Sequence, residues 1–496
     1  MSSIVKTLID LGLTPTKAYG GVITGLCIDS RNVKQGCLFA ALPGTRVHGA
    51  RFLVQALEQG AVAVLTDQEG AQIARDLGSQ DKAAFVIVQD PHAALAAAAS
   101  LWFGEQPATM VAVTGTNGKT SVASFCRQIW TELGHEAVNL GTMGVEGAFN
   151  APLVHTTPDP ITLHKMLRAC VHASVSHAAM EASSHGLAQH RLDGVRLKAA
   201  GFTNITQDHL DYHTNFDSYF DAKAGLFIRV LPATGVAVLN IDDPKVSKLS
   251  ASLLESGQQT ITVGRSPDAD LRLLAQKYDP AGQTIRFSYQ GRTYQSFLSL
   301  IGGFQGENVL LAAGLCVASG QAADDVFEML RELETVRGRM EHAATRANGS
   351  TVFVDYAHTP DAVETAINAY RPHVMGRLIA IIGAGGDRDV AKRALMGAAA
   401  AKAADYVLVT DDNPRSEDPA HIRNMVLAGT SGENHVIECG DRAEAILRAI
   451  DMLDAGDGLL ITGKGHETGQ IIGDDVLPFN DVEQASVAVA ALDGGL

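Results

Sequence analysis

The segment from Gly115 to Ser121 has the residue types and spacing of a loop that holds a phosphate chain. It follows the short apolar stretch Val111–Val113 and precedes a helical pattern from Val122 to Leu133. A strand, a glycine-rich loop and a helix in this order direct backbone N–H groups and a helix N-terminus at one point. In such a loop, Lys119 would reach the outer phosphates of ATP, and the Thr120 hydroxyl would ligate Mg²⁺.

This loop is shorter than the common P-loop, because Val113 stands where that pattern has its first glycine. The sequence therefore predicts a Gly-x-x-Gly-Lys-Thr variant whose ATP-binding residues are Gly115, Thr116, Asn117, Gly118, Lys119, Thr120 and Ser121. The loop alone is also compatible with an ATPase or a nucleotide-binding regulator that forms no new bond between substrates.

Size, charge and cysteine content narrow the class of protein. A chain of 496 residues is too long for one hydrophobic core, so about three domains are expected. The net charge of −16 argues against nucleic acid or an anionic membrane as the main partner, so anionic ligands require local cationic pockets. The six cysteines are scattered without a Cys-x-x-Cys pair, as in reduced cytosolic proteins. We find no export signal and no apolar run of the roughly 20 residues that span a bilayer, and we expect a cytoplasmic protein.

The alternation of short strands and helices predicts three α/β domains. Residues 1–107 form the first, and Glu105-Gln106-Pro107 is its expected linker, because the residue before a proline is disfavoured in a helix. Residues 108–335 form the second domain, with a strand-rich insert after Val230, and residues 336–496 form the third.

In the third domain, four apolar strands each lead into a polar loop. The predicted strands are Val352–Val354, Leu378–Ile382, Tyr406–Thr410 and Leu459–Thr462. Ligands of open α/β sheets bind beyond the carboxyl ends of the strands, so these four loops predict one shared site. The pattern Gly383-x-Gly385 resembles part of a dinucleotide fingerprint, but Arg388 at the third glycine position argues against nicotinamide binding.

Arg388 and Arg415 are the cations in these loops that suit a carboxylate, because a guanidinium donates two parallel hydrogen bonds. The turn Asp412-Asn413-Pro414-Arg415 combines an acid for an ammonium with a guanidinium for a carboxylate. This combination fits an amino acid zwitterion. An alternative at this stage is that Arg415 pairs locally with Asp411 or Glu417.

Two residues of the second domain are candidate metal ligands. Glu181 ends a predicted strand, and His209 follows another. Both could share Mg²⁺ with Thr120, because hard cations prefer oxygen ligands and keep several waters. The alternative is a zinc site built from four histidines, although their spacing is unlike that of most zinc sites: His185, His190, His209 and His213.

Lys223 lies in a predicted helix from Phe216 to Val230. It shares one face of this helix with Phe216, Tyr219, Phe220 and Phe227. From this spacing alone, we expect a surface lysine whose stem packs on the aromatic residues.

Together these segments resemble the motifs of the Mur ligase family, the ATP-dependent amino acid ligases of peptidoglycan synthesis. The matching segments follow the family's order and extend over essentially the whole chain: Gly115–Thr120, Glu181–Gly186, Asp208–His213, Gly338–Glu341, Asp355–His358 and Gly463–Glu467. The resemblance implies an α/β protein with the three-domain Mur ligase architecture. Its central domain would be P-loop ATPase-like, and its C-terminal domain would be Rossmann-like.

The resemblance also implies which residues bind each substrate. The uridine nucleotide would contact Ile28, Ser30, Thr45, Arg46 and Val47 in the first domain. The muramoyl dipeptide would contact Thr156, Thr157, Ser183, Gln189 and Arg191. The positions that match those holding adenine, phosphate and ribose are Asn308, Arg339 and Asp355. The residues expected to bind meso-diaminopimelate are Arg388, Asp412, Asn413, Pro414, Arg415, Gly463 and Glu467.

Lys223 matches a lysine that is carbamylated in the family, which replaces the surface interpretation of this residue. The carbamate would join the other implied Mg²⁺ ligands, Thr120, Glu181 and His209. The implied catalytic residues are Lys119, Glu181, His209, Lys223 and Arg339.

Two positions depart from the family pattern. Gln305 stands where the family has the first Asn of Phe-Asn-x-x-Asn, which leaves the first amide contact to the nucleotide open. Ser121 follows Thr120 where Thr is frequent.

The implied reaction transfers the γ-phosphoryl group of ATP to the D-glutamate carboxylate of UDP-N-acetylmuramoyl-L-Ala-D-Glu. The amine of meso-diaminopimelate then attacks the acyl phosphate. Domain closure is expected to bring the amine to this intermediate and to exclude water. The remaining alternatives are another ligase of the superfamily, such as a folylpolyglutamate synthetase, and an ATPase that makes no amide. We expect a monomer without nucleic acid or membrane partners.

Overall fold

The structure is a computed structural model that describes residues 4–44, 47–206, 212–430 and 435–494. The chain divides into two compact units. The first comprises Met1–Leu271 with Leu311–Val326, and the second comprises Arg272–Leu310 with Phe327–Leu496. The domain boundaries predicted after residues 107 and 335 stay a prediction.

The N-terminal part of the first unit is a parallel sheet with the strand order β1-β2-β3-β4. Its elements are β1 (Gly25–Cys27), β2 (Cys37–Ala40), α1 (Leu53–Glu58), β3 (Ala63–Thr66), α2 (Gln68–Asp76), β4 (Ala84–Ile87) and α3 (Pro91–Phe103). Asp67 and Asp90 are the N-cap residues of α2 and α3, because their carboxylates accept the backbone N–H groups of Gly70 and Ala93. The sequence predicted this alternation of strands and helices, but α2 was not identified.

A larger sheet follows in the same unit. Its elements are β5 (Thr109–Thr114), α4 (Lys119–Glu132), β6 (Ala137–Gly141), β7 (Gly144–Gly147), α5 (Pro160–His172), β8 (His177–Glu181), α6 (Ser184–Ala188), β9 (Ala199–Phe202), α7 (Phe216–Gly225), β10 (Val236–Asn240), α8 (Pro244–Glu255) and β11 (Gln259–Gly264). The predicted insert after Val230 is wrong for β10 and β11, because both belong to this sheet. β10 pairs in parallel with β9 on one side and with β11 on the other. Nearly continuous apolar runs such as that of β10 are typical of parallel strands buried on both faces.

The register of the central strands positions the loops that follow them. β5 lies between β8 and β9, with Val113 beside Glu181 and Thr114 beside Phe202. Because these strands are parallel, the loops after β5, β8 and β9 leave the sheet at the same edge. Residues of all three loops are candidates for the phosphate site.

The chain continues with β12 (Leu271–Asp279), β13 (Gly282–Tyr289), β14 (Arg292–Leu298), α9 (Phe304–Ala318) and α10 (Ala323–Met329). β13 and β14 form an antiparallel hairpin. Its two turn residues, Gln290 and Gly291, have φ values of 49° and 77°. Positive φ at both central residues matches the twist of a hairpin, and glycine favours this backbone conformation.

The second unit contains a doubly wound sheet with the order β15-β16-β20-β17-β18-β19. The elements from residue 341 onward are β15 (Glu341–Thr345), β16 (Thr351–Asp355), α11 (Pro360–Tyr370), β17 (Leu378–Ile382), α12 (Ala391–Ala403), β18 (Tyr406–Val409), α13 (Pro419–Leu427), β19 (Val436–Glu438), α14 (Arg442–Asp451), β20 (Gly458–Thr462), β21 (Gly469–Ile472), β22 (Asp475–Pro478) and α15 (Asp481–Leu492). The four predicted strands are the neighbours β16, β20, β17 and β18, and they are parallel. Their polar loops therefore leave the sheet at one edge, and one shared ligand site there stays a prediction.

Alternate residues of these strands pack on opposite faces of the sheet. Ala380 and Ile382 belong to one buried cluster, and Ile379 and Ile381 belong to another. This alternation is the consequence of the two-residue period of a strand. Helices therefore cover both faces, and the polar loops are restricted to the strand ends.

A fully buried ion pair joins the starts of α14 and α15. Arg442 donates from Nε and Nη2 to the two carboxylate oxygens of Asp481, each at 2.7 Å, and both side chains are 0% exposed. Arg442 Nη2 also donates to the carbonyl of Thr462, at the end of β20. The pair thus connects two helices to the strand that precedes a site loop.

We expect Arg442→Met to lower the free energy of unfolding by about 3–5 kcal/mol, because it leaves the Asp481 carboxylate buried without a counter-charge. Urea unfolding would measure this change. The double variant R442M/D481M should recover most of the loss. Lys402→Met is the control, because Lys402 and its partner Glu364 are largely exposed, and such pairs contribute less than about 1 kcal/mol. Equal destabilisation by R442M and K402M would contradict the expectation.

Candidate active site

The loop between β5 and α4 has the predicted strand–loop–helix conformation. Gly115 and Gly118 have φ values of 146° and 86°, which glycine adopts readily. α4 begins at Lys119, three residues before the predicted start. Lys119 Nζ donates to the carbonyls of Gly115 at 3.0 Å and Thr116 at 2.8 Å. The ammonium therefore lies on the loop that the sequence assigns to the phosphates.

Thr203 and Asn204, directly after β9, form hydrogen bonds with this loop, and the sequence patterns did not identify them as site residues. Asn204 Oδ1 accepts the backbone N–H of Asn117 at 3.0 Å, and Thr203 Oγ1 donates to the Asn117 carbonyl at 2.6 Å. A Cβ atom at Gly115 would lie 1.8 Å from Thr203 Oγ1, so only glycine fits there. The signal in the sequence was the polar pair that ends the predicted strand Ala200–Asn204, which in the structure ends at Phe202.

Lys223 is buried beside the same loop. Its side chain is 1% exposed, and Nζ donates to the Gly115 carbonyl at 2.7 Å. Nζ also lies 4.6 Å from the centre of the Tyr219 ring. The expectation of a surface lysine is therefore wrong, because the aromatic face of α7 packs into the protein instead of facing water.

Glu181 ends β8 next to the phosphate loop. It is 2% exposed, and its Oε1 accepts the backbone N–H of Thr142 at 2.8 Å. A Cβ atom at Gly141 would lie 2.0 Å from Glu181 Oε1, so the absence of a side chain there makes room for the carboxylate. The sequence patterns did not point to Gly141 or Thr142. Gly141 ends β6, a strand that was not predicted, and Thr142 follows it.

The residues assigned to the muramoyl dipeptide form a connected polar group beside Glu181. Thr157 Oγ1 donates to the Glu181 carbonyl at 2.9 Å and accepts the N–H of Ser183 at 3.0 Å. Arg191 donates to the Thr157 carbonyl at 2.6 Å and to Gln189 Oε1 at 2.7 Å. Burial lowers the pKa of Arg191, but an arginine stays cationic in proteins.

Thr156 extends this group, because its hydroxyl lies 3.0 Å from that of Thr142. Gln189 Nε2 donates to the hydroxyl of Tyr212 at 3.0 Å. Through Thr142, the group is linked to the carboxylate of Glu181. The structure therefore brings together all five residues that the resemblance assigns to the dipeptide.

The donors near the phosphate loop fit a hard cation. Thr120 is a buried residue of the first turn of α4, and Glu181 supplies a carboxylate from β8, the strand next to β5. His209 lies outside the described residues. In residues 4–44, 47–206, 212–430 and 435–494, no three His, Cys, Asp or Glu side chains cluster around a possible metal position. A cation here would depend on hydroxyl, water and phosphate oxygens, which are the ligands that Mg²⁺ accepts.

The zinc alternative is not supported by the position of His190. Its Nε2 lies 3.1 Å from Asp90 Oδ2, and its Nδ1 lies 2.7 Å from Asp193 Oδ2. Both ring nitrogens are therefore occupied by carboxylates from the protein. A neutral imidazole nitrogen would be needed for metal ligation.

Of the residues assigned to the uridine nucleotide, the structure describes Ile28 and Ser30, which follow β1, and Val47. Ser30 is buried and donates to Gln55 Oε1 at 2.9 Å, whereas Ile28 and Val47 are exposed. Thr45 and Arg46 lie outside the described residues. His48, which follows Val47, accepts the backbone N–H of Ala50 at its Nδ1, at 3.0 Å.

In the second unit, Gln305 forms a hydrogen bond with Asn308. The Asn308 Nδ2 donates to Gln305 Oε1 at 3.2 Å. Both side chains are buried. Gln305 therefore lies beside the residue expected to contact the nucleotide, at the position where the family has Asn.

Asp355 and Arg339 lie at the carboxyl end of β16. The Asp355 carboxylate accepts the N–H groups of Met340 at 2.8 Å and Ala357 at 2.9 Å. Burial raises the pKa of Asp355, and the positive charge of Arg339 acts in the opposite direction. The Arg339 guanidinium lies 4.9 Å from the centre of the Tyr356 ring, in position for a cation–π contact.

Arg415 does not pair with the acids close to it in sequence. Asp411 binds Arg423, with 2.5 Å between Oδ1 and Nη1, and Glu417 binds Arg393, with 2.7 Å between Oε1 and Nη2. The local pairing considered for Arg415 is therefore wrong. Arg415 forms no ion pair with any other described residue, and its Nη1 donates to the Gly386 carbonyl at 2.8 Å.

The glycines of the neighbouring loops allow close packing around this turn. A Cβ atom at Gly463 would lie 3.0 Å from Asp412 Oδ2, and one at Gly385 would lie 2.8 Å from Arg415 Nη1. The glycines of the Gly383-x-Gly385 pattern thus leave space for the side chains of the Asp412–Arg415 turn. Arg388 is exposed in the same loop, and Asn413 Nδ2 donates to Glu467 Oε2 at 2.8 Å.

Three family models match successive parts of the chain. The Mur ligase family catalytic domain matches residues 22–102, the Mur ligase middle domain matches residues 113–316, and the Mur ligase glutamate ligase domain matches residues 338–465. The chain is 46% identical to the UDP-N-acetylmuramoyl-L-alanyl-D-glutamate–2,6-diaminopimelate ligase of Caulobacter vibrioides, over 99% of this chain and 100% of that protein. It is also 46% identical to the protein of the same name from Bradyrhizobium diazoefficiens, over 95% of each.

Solved structures agree with these sequence matches. A structure of UDP-N-acetylmuramoyl-L-alanyl-D-glutamate–2,6-diaminopimelate ligase has a TM-score of 0.73 and 30% identity, over 98% of this chain and 99% of that one. MurF ligase from Thermotoga maritima, solved in complex with ADP, has a TM-score of 0.59 at 19% identity, over 89% of this chain and 94% of that one, and supports the fold alone. Because its sequence is closely similar to those of the relatives over almost its whole length, the chain belongs to the Mur ligase family.

Proposed function

We propose that this chain is an ATP-dependent ligase that joins meso-diaminopimelate to the D-glutamate of UDP-N-acetylmuramoyl-L-alanyl-D-glutamate. The observation that carries the proposal is the environment of Arg415. Because Asp411 and Glu417 are bound by other arginines, the Arg415 guanidinium and the nearby Asp412 carboxylate suit a zwitterionic amino acid. The names of relatives at 46% identity support the same substrates.

The first step activates the D-glutamate carboxylate. A carboxylate oxygen attacks the γ-phosphorus of ATP, the bond to the leaving ADP breaks, and an acyl phosphate forms. Lys119 and Arg339 supply positive charge for the transferring phosphoryl group, and Asn308 and Asp355 would hold the adenosine part of ATP.

Mg²⁺ is part of this proposal. Thr120, Glu181, His209 and the carbamate of Lys223 would hold it, and it would neutralise phosphate charge when bound. Burial of Lys223 beside the Gly115 carbonyl is compatible with that role. Carbamylation of Lys223 stays a prediction.

The second step forms the amide. The uncharged amine of meso-diaminopimelate attacks the acyl carbon, and inorganic phosphate leaves as the amine gives up its proton. Arg388 and Arg415 would bind a carboxylate of the amino acid, and Asp412 and Glu467 would bind its second ammonium group, with Asn413, Pro414 and Gly463 lining the pocket. Exclusion of water protects the acyl phosphate from hydrolysis.

The three domains would divide this work. Residues 1–107 would hold the uridine nucleotide, residues 108–335 ATP, and residues 336–496 the amino acid. In the described part of the chain, no helix is both long and apolar enough to cross a membrane. A cytoplasmic, monomeric enzyme remains our prediction.

The direct test is an amide-forming assay. The purified chain is incubated with ATP, Mg²⁺ and the UDP-muramoyl dipeptide, together with meso-diaminopimelate or L-lysine. We expect the tripeptide product and stoichiometric ADP with meso-diaminopimelate, and much less product with L-lysine. Product formed only with L-lysine would overturn the assigned acceptor. ATP hydrolysis without an amide product would favour an ATPase, and ligation of glutamate to a folate would favour the folylpolyglutamate synthetase alternative.

We expect Arg415→Ala to lower kcat/KM for meso-diaminopimelate by about 100-fold or more, because two charge-assisted hydrogen bonds are lost. Steady-state kinetics with saturating ATP would measure the change. Arg371→Ala is the matched control, because Arg371 pairs with Asp405 near the amino end of β17, at the opposite edge of the sheet. If R415A used meso-diaminopimelate as well as the parent does, the assigned specificity would be refuted.

We expect Gly141→Ala to weaken the Mg²⁺ dependence of nucleotide binding about 10- to 100-fold, because the added Cβ displaces the Glu181 carboxylate. Calorimetric titration of ATP at several Mg²⁺ concentrations would measure it without turnover. Gly20→Ala is the control, since a Cβ there meets no atom within 4 Å. An unchanged Mg²⁺ requirement in G141A would count against Glu181 as a metal ligand.

A further inference from the structure

Lys464 lies in the loop after β20, and its side chain is 0% exposed. Nζ donates to Asn413 Oδ1 at 2.9 Å, and it lies 3.4 Å from Glu467 Oε2 and 3.6 Å from Asp412 Oδ1. A buried ammonium group is costly unless oxygen atoms surround it. Here the oxygens come from three residues that the proposed function assigns to the acceptor amino acid, although Lys464 itself has no assigned role.

Lys464 contributes to the orientation of the Asn413 side-chain amide. An ammonium group has three donors and no acceptor, so Asn413 must present its oxygen to Lys464. The same oxygen accepts the backbone N–H of Ile471 at 2.9 Å. Asn413 Nδ2 is consequently directed to Glu467 Oε2, 2.8 Å away. The Lys464 ammonium and the Ile471 backbone N–H therefore together fix the orientation of the Asn413 amide, which in turn directs Nδ2 to Glu467.

Lys464 is also the shared counter-charge of two carboxylates. Asp412 is 7% exposed, and within the described structure its buried Oδ1 has no hydrogen-bond partner. Glu467 lies on the other side of the same ammonium. Without Lys464, the two carboxylates would repel each other and would lose the group that holds them on either side of one ammonium.

We propose that Lys464 is a positioning residue of the acceptor site, which holds Asp412, Asn413 and Glu467 in the orientation that suits the ammonium group of the incoming amino acid. This inference rests on the proposed function. It requires no contact between Lys464 and any substrate. Loss of the Lys464 charge should therefore weaken the binding of one substrate and leave the other two unaffected.

The test is the steady-state kinetics of the full-length Lys464→Met variant. The KM for meso-diaminopimelate should rise about tenfold or more, whereas the KM values for ATP and the UDP-muramoyl dipeptide should change by less than about twofold. The kcat at saturating concentrations of all three substrates should change by less than about threefold, because Lys464 contacts no reacting atom.

Arg346→Met is the matched control, because Arg346 pairs with Asp493 just after β15, near the amino end of β16. It should leave all three KM values unchanged. An equal rise of all three KM values in K464M, or a fall in kcat at saturation as large as the rise in the acceptor KM, would overturn the proposal. If K464M fails to fold in a thermal melt, Lys464→Gln carries the same test. If neither folds, Lys464 is needed for the fold itself, and the positioning role is overturned.

The outcomes also separate this inference from the proposed function. A parent chain that forms no amide with meso-diaminopimelate refutes the function, and the Lys464 inference fails with it. A parent chain that forms the amide, together with a K464M variant that behaves like the parent, refutes the Lys464 inference alone.

Discussion

Parallel strand pairing is the constraint on which both compact units depend. In the first unit, β5 lies between β8 and β9, so that the phosphate loop, Glu181 and the Thr203–Asn204 pair leave the sheet at one edge. In the second unit, β16, β20, β17 and β18 are parallel neighbours and bring four polar loops to one edge in the same way. A shift in strand register would move whole loops, so the precision of each site comes from the backbone ladder beneath it.

Small residues at these edges make the close approach possible. Gly115 gives space to Thr203, Gly141 to Glu181, and Gly463 to Asp412. In each case the functional side chain occupies the volume that a Cβ atom would need. The sites therefore depend on pairs of a polar residue and a glycine from separate strands, and the glycine is as specific a requirement as the polar group that it accommodates.

The sequence predicted the elements that have strong local signals. The apolar run before Gly115 and the four strands of the third domain were identifiable because short apolar segments end there in glycine or acidic residues. Partners that come from distant segments were not identifiable. Gly141 and Thr142 meet Glu181 across the sheet, and only the register of β6 and β8 brings them together.

The partners of Arg415 illustrate the same limit. Its two sequence neighbours, Asp411 and Glu417, are bound by Arg423 on α13 and Arg393 on α12. The choice among three arginines depends on how these helices pack, which no local pattern encodes. Lys223 was ambiguous for a related reason, because the spacing of aromatic residues identifies one face of α7 but not what that face packs against.

The surroundings of Gly115 suggest why a lysine at position 223 would be modified. The Gly115 carbonyl accepts hydrogen bonds from both Lys119 and Lys223. Two ammonium groups that share one acceptor repel each other. The carbamate proposed at Lys223 would replace one of these two positive charges with a negative one, so it would remove this repulsion beside the phosphate loop.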